Sequence, residues 1–307
     1  MSACKKQKVD AGRDWTCSLA LPGSILTNVH TLEQKTSLAS QVARAAAIFS
    51  IDEIIIFDDF NELKLSDTNE FVSTGDNGNN ALLLANLLEY AECPQYLRKA
   101  LFPLSKEYKF ASLMHPLATP HHMLISDYSL YREGVTLGIS CTDTGNTFVN
   151  CGTGYDCLVD KKLKPGIRVT VKLKKPNSRK GVLVPPAEPR TEEGIYWGYR
   201  TTRARCLSDI FKSSVFDIDL VLGTSERGSS IYDFTLPKFN HMLIVFGGVN
   251  GLEHAVDNDT SVNSIEDVFP HYLNICPEQT SRTIRTEEAI FIGLSALKFK
   301  ITSSFSS

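Results

Sequence analysis

The strongest constraint in this sequence is a run of four consecutive bulky apolar residues, Ile54, Ile55, Ile56 and Phe57, directly behind Asp52 and Glu53. A strand with one wet face alternates apolar and polar residues. An unbroken β-branched run fits a strand covered on both faces, as in a parallel sheet flanked by helices. Residues 242–246 repeat the pattern near the other end of the chain, and residues 15–21 predict a further strand that ends at Pro22-Gly23. Leu38, Val42, Ala45 and Phe49 follow at steps of four, three and four, which predicts a helix over 36–49 with Arg44 off its apolar stripe. A second helix is predicted over 80–92, stopped by Cys93-Pro94. The polar, Gly- and Asn-rich residues 61–79 between them read as a loop.

The middle of the chain has a different character. From 117 to 190 helical periodicity is scarce and turn residues are frequent. Ile167, Val169, Val171 and Leu173 alternate with Arg168, Thr170, Lys172 and Lys174, the period of a half-buried strand. Short strands divided by turns predict a small β-barrel of OB type, inserted between two stretches of α/β pattern. At 307 residues the chain also exceeds what one core of about 250–300 residues comfortably holds. The expected organisation is a flexible basic leader over 1–13, an α/β domain built from 14–116 and 191–307, and a barrel over 117–190.

Charge separates these parts. Residues 161–180 carry nine Lys or Arg and no Asp or Glu, which leaves the rest of the chain at −12 against an overall −3. A solvated strand face explains most charge runs. On a small barrel the same run predicts contact with RNA or single-stranded DNA, through Arg168, Lys172, Lys174 and Lys175. Tyr196-Trp197-Gly198-Tyr199, followed by Arg200, Arg203 and Arg205, reads equally well as core aromatics with solvated arginines or as a stacking and phosphate-binding lip.

Several function classes are excluded at this level. No apolar run approaches the roughly 20 residues of a membrane helix. Asp10, Arg13 and Asp14 stand where the apolar core of a secretory signal would be. The eight cysteines show no C-x-x-C spacing and read as reduced, mostly buried thiols. His121-His122 has no further ligands at metal spacing and reads as loop or interface, so no metal is expected.

The last third carries the chemistry. Three short strands end in Gly223-Thr224-Ser225-Glu226-Arg227-Gly228, in Gly247-Gly248-Val249-Asn250-Gly251, and in a long segment from Cys276 to Arg285. Ligands of open α/β sheets bind at strand ends. Neither a G-x-x-x-x-G-K cradle nor a G-x-G-x-x-G helix opening is present, which argues against triphosphate and dinucleotide sites and for a pocket lined by backbone. Thr286 then reads as an N-cap, with Glu287 and Glu288 in the first turn of a helix. Residues 289–297 are apolar nearly all round, which predicts burial in the core or at a dimer interface.

These segments, with L-A-L-P-G-S-I-L (19–26), E-C-P-Q-Y-L-R-K-A-L-F-P (92–103) and G-I-Y-W-G-Y (194–199), resemble the SPOUT class of RNA methyltransferases. The match is to the eukaryotic and archaeal branch that carries an inserted OB-like domain, and it covers the chain from Trp15 to about Leu297. The resemblance implies an α/β fold with a trefoil-knot methyltransferase domain and an inserted OB-like β-barrel. It implies a homodimer and S-adenosylmethionine held by Thr224, Gly247, Gly248, Gly251, Asn274, Ile275, Cys276, Thr283, Ile284 and Arg285. Arg44 matches the arginine of the first SPOUT motif. Asn274-Ile275-Cys276-Pro277 departs from the Asn-Val-Ser turn of ribose 2′-O enzymes. The segment 283–289 resembles instead the knot helix of enzymes that methylate uridine N3. The resemblance thus implies base methylation in large-subunit ribosomal RNA, with ribose 2′-O methylation and a non-catalytic RNA-binding or assembly role with a spindle or kinetochore link as alternatives. Arg282, Arg285 and Arg44 are the expected cations, and Glu287 a candidate for proton transfer that competes with a plain helix-dipole role for Glu287 and Glu288. The expected location is nuclear or nucleolar, with spindle association as the variant; a secreted protein is not expected.

Overall fold

The computed structural model describes residues 13–141 and 145–305; all of the expected leader except Arg13 lies outside the described residues. In chain order the first elements are β1 (Thr16–Pro22), α1 (Leu32–Ile48), β2 (Glu53–Phe57), β3 (Leu63–Leu65), β4 (Phe71–Ser73), α2 (Asp76–Glu92) and α3 (Gln95–Leu101). There follow β5 (Tyr131–Ser140), β6 (Thr147–Asn150), β7 (Asp156–Leu158), β8 (Arg168–Leu173), β9 (Gly181–Val184) and α4 (Glu188–Glu193). The chain then runs through β10 (Arg200–Ala204), α5 (Ile210–Ser213), β11 (Leu220–Ser230), β12 (His241–Val245), α6 (Gly251–Asp257), α7 (Ile265–Val268), β13 (His271–Asn274) and α8 (Thr286–Phe305).

Two compact units result. The first comprises residues 15–91, 106–116 and 199 onward. Its six strands run in the order β10-β2-β1-β12-β11-β13, and every pairing is parallel. Ile54, Ile55, Ile56 and Phe57 are wholly buried, as their unbroken apolar run requires. One face packs Ala20, Ile55, Leu243 and Val245 against Leu252, Ala255 and Val256 of α6. α1 begins four residues before the expected 36, because Thr31 and Gln34 form a capping box: the Thr31 hydroxyl accepts from the Gln34 amide at 3.2 Å and the Gln34 side chain from the Thr31 amide at 3.3 Å. Residues 61–79 are not all loop. They hold the β3–β4 hairpin and the first turn of α2, whose amides at Asn77 and Gly78 donate to Glu62 at 2.8 and 2.9 Å. That external cap lets α2 start before its apolar pattern does.

The second unit contains residues 92–105 and 117–198, so the expected 117–190 segment lies inside it. Five antiparallel strands take the order β7-β6-β5-β8-β9. The two edge strands approach each other: the Leu158 amide donates to the Arg179 carbonyl at 2.9 Å, beside a parallel bridge between Leu158 and Lys180. Val149, Cys151, Cys157, Val171 and Leu173 fill the interior, as the alternation along β8 predicts.

The other face of β8 is not the solvated one expected. Thr170 is buried, and Arg168 donates to Glu92 at 2.5 and 3.0 Å and to Glu133 at 2.7 Å. Glu133 also accepts from Thr170 and from the Trp197 indole, both at 2.6 Å. His121 and half-buried His122 stand in a loop, as expected, but the loop is packed inward: His121 is fully buried, 2.9 Å from the Glu92 carboxylate. Burial opposes ionisation of Glu92, but Arg168 and His121 outweigh it and hold the carboxyl well below its usual range. Burial, helped by the adjacent His121, pushes His122 down to about 4.

Removing one partner of such a pair strands the other charge, so Glu92→Ala is expected to cost about 3–5 kcal/mol in urea unfolding. Both depressed groups bind protons more readily in the unfolded chain. Stability is therefore expected to fall as pH drops from 6.5 towards 4 through His122, and further below 4.5 through Glu92. His122→Gln should abolish the upper step of that unfolding profile.

Candidate functional site

Six parallel strands direct all their C-terminal loops to one sheet edge, and three of those loops meet there. β11 does not end at 222 as the sequence suggests. It pairs with β13 up to Thr224, loops out, and resumes pairing at Ser229, so the expected 223–228 loop is a bulge within a continuous strand. Asn274 pins that bulge: its side-chain amide donates to the Glu226 carbonyl at 3.0 Å while its oxygen accepts from the Cys276 amide at 3.0 Å. The Thr224 hydroxyl, buried, donates to the Val245 carbonyl at 3.1 Å and joins the bulge to the end of β12.

Gly247 and Gly248 follow β12. A Cβ on Gly247 would stand 2.9 Å from the backbone of Gly251, and one on Gly248 would stand 2.2 Å from the Ser24 hydroxyl. Only bare backbone fits there, so the chain packs peptide against peptide and against Ser24 at this sheet edge. Gly251 adopts φ +79°, open to glycine without strain. The third loop closes on the second through Thr286, whose hydroxyl donates to the Gly247 carbonyl at 2.9 Å. Thr286 is thus the first helical residue and not the cap. The capping role falls to Glu288, which accepts from the Arg285 amide at 2.9 Å.

The paired acids therefore divide. Glu288 is exposed and closes the helix end. Glu287 is buried; its Oε1 lies 3.9 Å from Arg285 and its Oε2 has no hydrogen-bond partner among the described residues. A helix-dipole acid has no need of burial, and a buried carboxylate oxygen without a donor is costly. Ile275 is buried against Gly293 of α8, and Ile284 is half-buried, whereas Arg282, Thr283 and Arg285 are exposed. α8 buries one stripe, Ile290, Gly293, Leu294, Leu297 and Ile301, while Phe299 is 77% exposed.

Sequence reasoning missed Ser24 and Asp59, at the ends of β1 and β2 behind Gly248. The Ser24 hydroxyl donates to Asp59 at 2.5 Å, and the other Asp59 oxygen is buried without a partner among the described residues. Burial raises the Asp59 pKa against the Ser24 hydrogen bond. The available signal was Pro22-Gly23-Ser24 and Asp58-Asp59 standing at the ends of two adjacent buried strands.

The expected cations are dispersed. Arg44 sits on α1 and donates to the Pro116 carbonyl at 3.1 Å. Trp197 and Tyr199 are buried as core aromatics, whereas Arg203 is bound by Glu89 at 2.9 Å and Asn86 at 2.8 Å, and Arg205 by Asp209, so these two arginines are paired and not simply solvated. Arg200 is exposed but aligns with Glu53 at the start of β2, the sheet edge away from the glycine loops. Arg168 is bound internally as described, and Lys172 pairs with Glu188 at 2.7 Å. Lys174 and Lys175 are exposed. No cluster of His, Cys, Asp or Glu suited to a metal occurs among the described residues.

The family model described as "Putative RNA methyltransferase" matches residues 16–297. Relatives named 28S rRNA (uridine-N(3))-methyltransferase share 46% identity over 95% of this chain and 80% of the Homo sapiens protein, and 44% over 98% of this chain and 65% of the Drosophila melanogaster protein. A Caenorhabditis elegans protein named "Putative methyltransferase spot-1" shares 34% identity over 96% of this chain and 83% of its own length.

Asp59 offers a direct check on the electrostatics of this sheet edge. Burial raises its folded pKa above the usual aspartate value, so its favourable contribution is full below that usual value and is lost as pH rises through the folded one. Asp59→Asn should therefore gain stability relative to the unsubstituted protein at pH 8 and show little difference at pH 4, read by urea unfolding at both.

Proposed function

Because this chain belongs to that RNA methyltransferase family, matched over residues 16–297, we propose that it methylates N3 of a uridine in large-subunit ribosomal RNA, with S-adenosylmethionine as the donor. The observation that carries the chemical reading is Glu287, a buried carboxylate with an open oxygen at the head of α8, beside loops that only glycine can build.

The three loops suit the donor, since they are rich in bare peptide groups and fixed by side-chain clamps. Backbone of Gly247, Gly248, Gly251, Asn274, Ile275 and Cys276 would hold the cofactor, flanked by Thr224, Thr283, Ile284 and Arg285. When bound, S-adenosylmethionine supplies an electrophilic sulfonium methyl group. The protein's part is orientation and proton removal. Arg285 and the first turn of α8 fix the Glu287 carboxylate, which would receive the N3 proton. The exposed Arg282 and Arg285 offer positive charge to the uracil anion or its phosphate, and Arg44 is assigned the more distant RNA contact.

Further parts of the reading rest on the same family. A trefoil knot through the 275–286 segment is consistent with the Thr286–Gly247 clamp. A homodimer would cover exposed apolar side chains such as Phe299. The five-stranded sheet with touching edges has a strand order compatible with an OB-like barrel. A nucleolar site of action follows from a ribosomal RNA substrate.

Mass-spectrometric mapping of ribosomal RNA from cells lacking the protein should show one unmodified uridine in the large subunit; an unchanged profile would sink the proposal. With purified protein, Glu287→Gln should bind S-adenosylmethionine within about threefold of normal yet slow single-turnover methyl transfer by at least about 100-fold. Glu288→Gln should keep its rate and lose only about 0.5–1 kcal/mol of stability.

A further inference from the structure

The nine cations of residues 161–180 do not share one face. Arg168 and Lys172 are taken up by glutamates. The remaining cations of the β8–β9 hairpin, Lys174, Lys175, Arg179 and Lys180, are exposed with no acid between them. Two of them, Arg179 and Lys180, line a cavity of about 450 Å³ together with residues of β6 and β7, and Lys174 and Lys175 stand on the same hairpin. Sites for small organic groups span about 300–1,000 Å³.

Its walls are of two kinds. Phe148, Tyr155 and Leu158 present apolar surface, and Ile139 stands beside them 62% exposed at the end of β5. Arg179 and Lys180 form the other wall. The Tyr155 hydroxyl donates to the Asn177 carbonyl at 2.5 Å, and the Arg179 guanidinium lies 5.2 Å from the Tyr155 ring centre. The hairpin is thereby fastened to an aromatic ring, one face of which is already engaged by a cation. Asp156 is the acid at this cleft. It disfavours a phosphate at its own position and can accept an N–H from a planar heterocycle.

We propose that this cleft binds an unpaired nucleobase of the RNA substrate, stacked against Tyr155 and Phe148, with the adjoining phosphates held by Arg179, Lys180 and the lysines of the hairpin tip. The inference rests on the reading of the protein as an RNA methyltransferase and adds a second contact point, in the small β unit. A bare apolar groove would fit many partners. Here a cationic rim bordering aromatic walls selects a ligand that is both planar and anionic, which is single-stranded nucleic acid. A duplex keeps its bases stacked and cannot fill the apolar part.

The test uses the full-length protein with a fluorescent single-stranded oligouridylate and a duplex RNA of equal length, read by anisotropy over a salt series. Tyr155→Ala is expected to weaken single-strand binding about tenfold and duplex binding hardly at all. Arg179→Glu should weaken it and lower the slope of log affinity against log salt by about one or more. Ile139→Asp changes an exposed side chain, so it tests the same wall without a folding penalty and should also weaken binding. Calorimetric binding of S-adenosylmethionine should be unchanged in all three. Normal oligouridylate affinity in Tyr155→Ala and Ile139→Asp would overturn the proposal, as would equal losses for duplex and single strand. Protein that binds RNA through this cleft but transfers no methyl group would overturn the methyltransferase reading and leave the cleft in place.

Discussion

A fully parallel sheet has one edge at which every strand ends, and this constraint organises the larger unit. β12 lies between β1 and β11, so the loops after β1, β11, β12 and β13 are brought side by side. Hydrogen bonds between those loops then fix them against one another: Thr224 to Val245, Asn274 to Glu226 and Thr286 to Gly247. Each clamp uses a short side chain to fix a carbonyl, which leaves little side-chain bulk in the space between.

The smaller unit solves a different problem. Its sheet is short, and its interior is filled by few large side chains. Much of its remaining order comes from charge: Arg168 is shared between Glu92 and Glu133, and Glu133 in turn orients Thr170 and Trp197. The desolvation cost of a buried ion pair offsets much of its attraction, so its presence says little about net stability. In this case the arrangement fixes which face of β8 is covered, and so which of its basic neighbours stay in water.

That distinction marks the limit of the sequence as a guide. Period-two hydrophobicity placed Val171 and Leu173 inside, because burial of apolar side chains is a local pattern. The destination of Arg168 was not legible, because its partner Glu92 is 76 residues away and nothing local announces it. The glycine loops were legible for the opposite reason: only glycine tolerates such close backbone approach, so the residue type carries the geometry. Glu287 and Glu288 looked interchangeable at the head of a helix. One residue, about 100° around the helix, separates a buried carboxylate from an exposed one, and that phase is set by how α8 packs. Ser24 and Asp59 escaped notice because their meaning depends on β1 and β2 ending beside Gly248.

The bulge in β11 has a consequence for the thermodynamics of ligand capture. Residues 225–228 are held by ladder pairing on both sides, at Thr224 and again at Ser229. An ordinary surface loop must surrender conformational entropy when it closes on a ligand. A loop fastened at both ends to the same neighbouring strand has surrendered most of it during folding. Under the proposed reading this wall is preorganised, so a donor bound here would meet a shape fixed before it arrived.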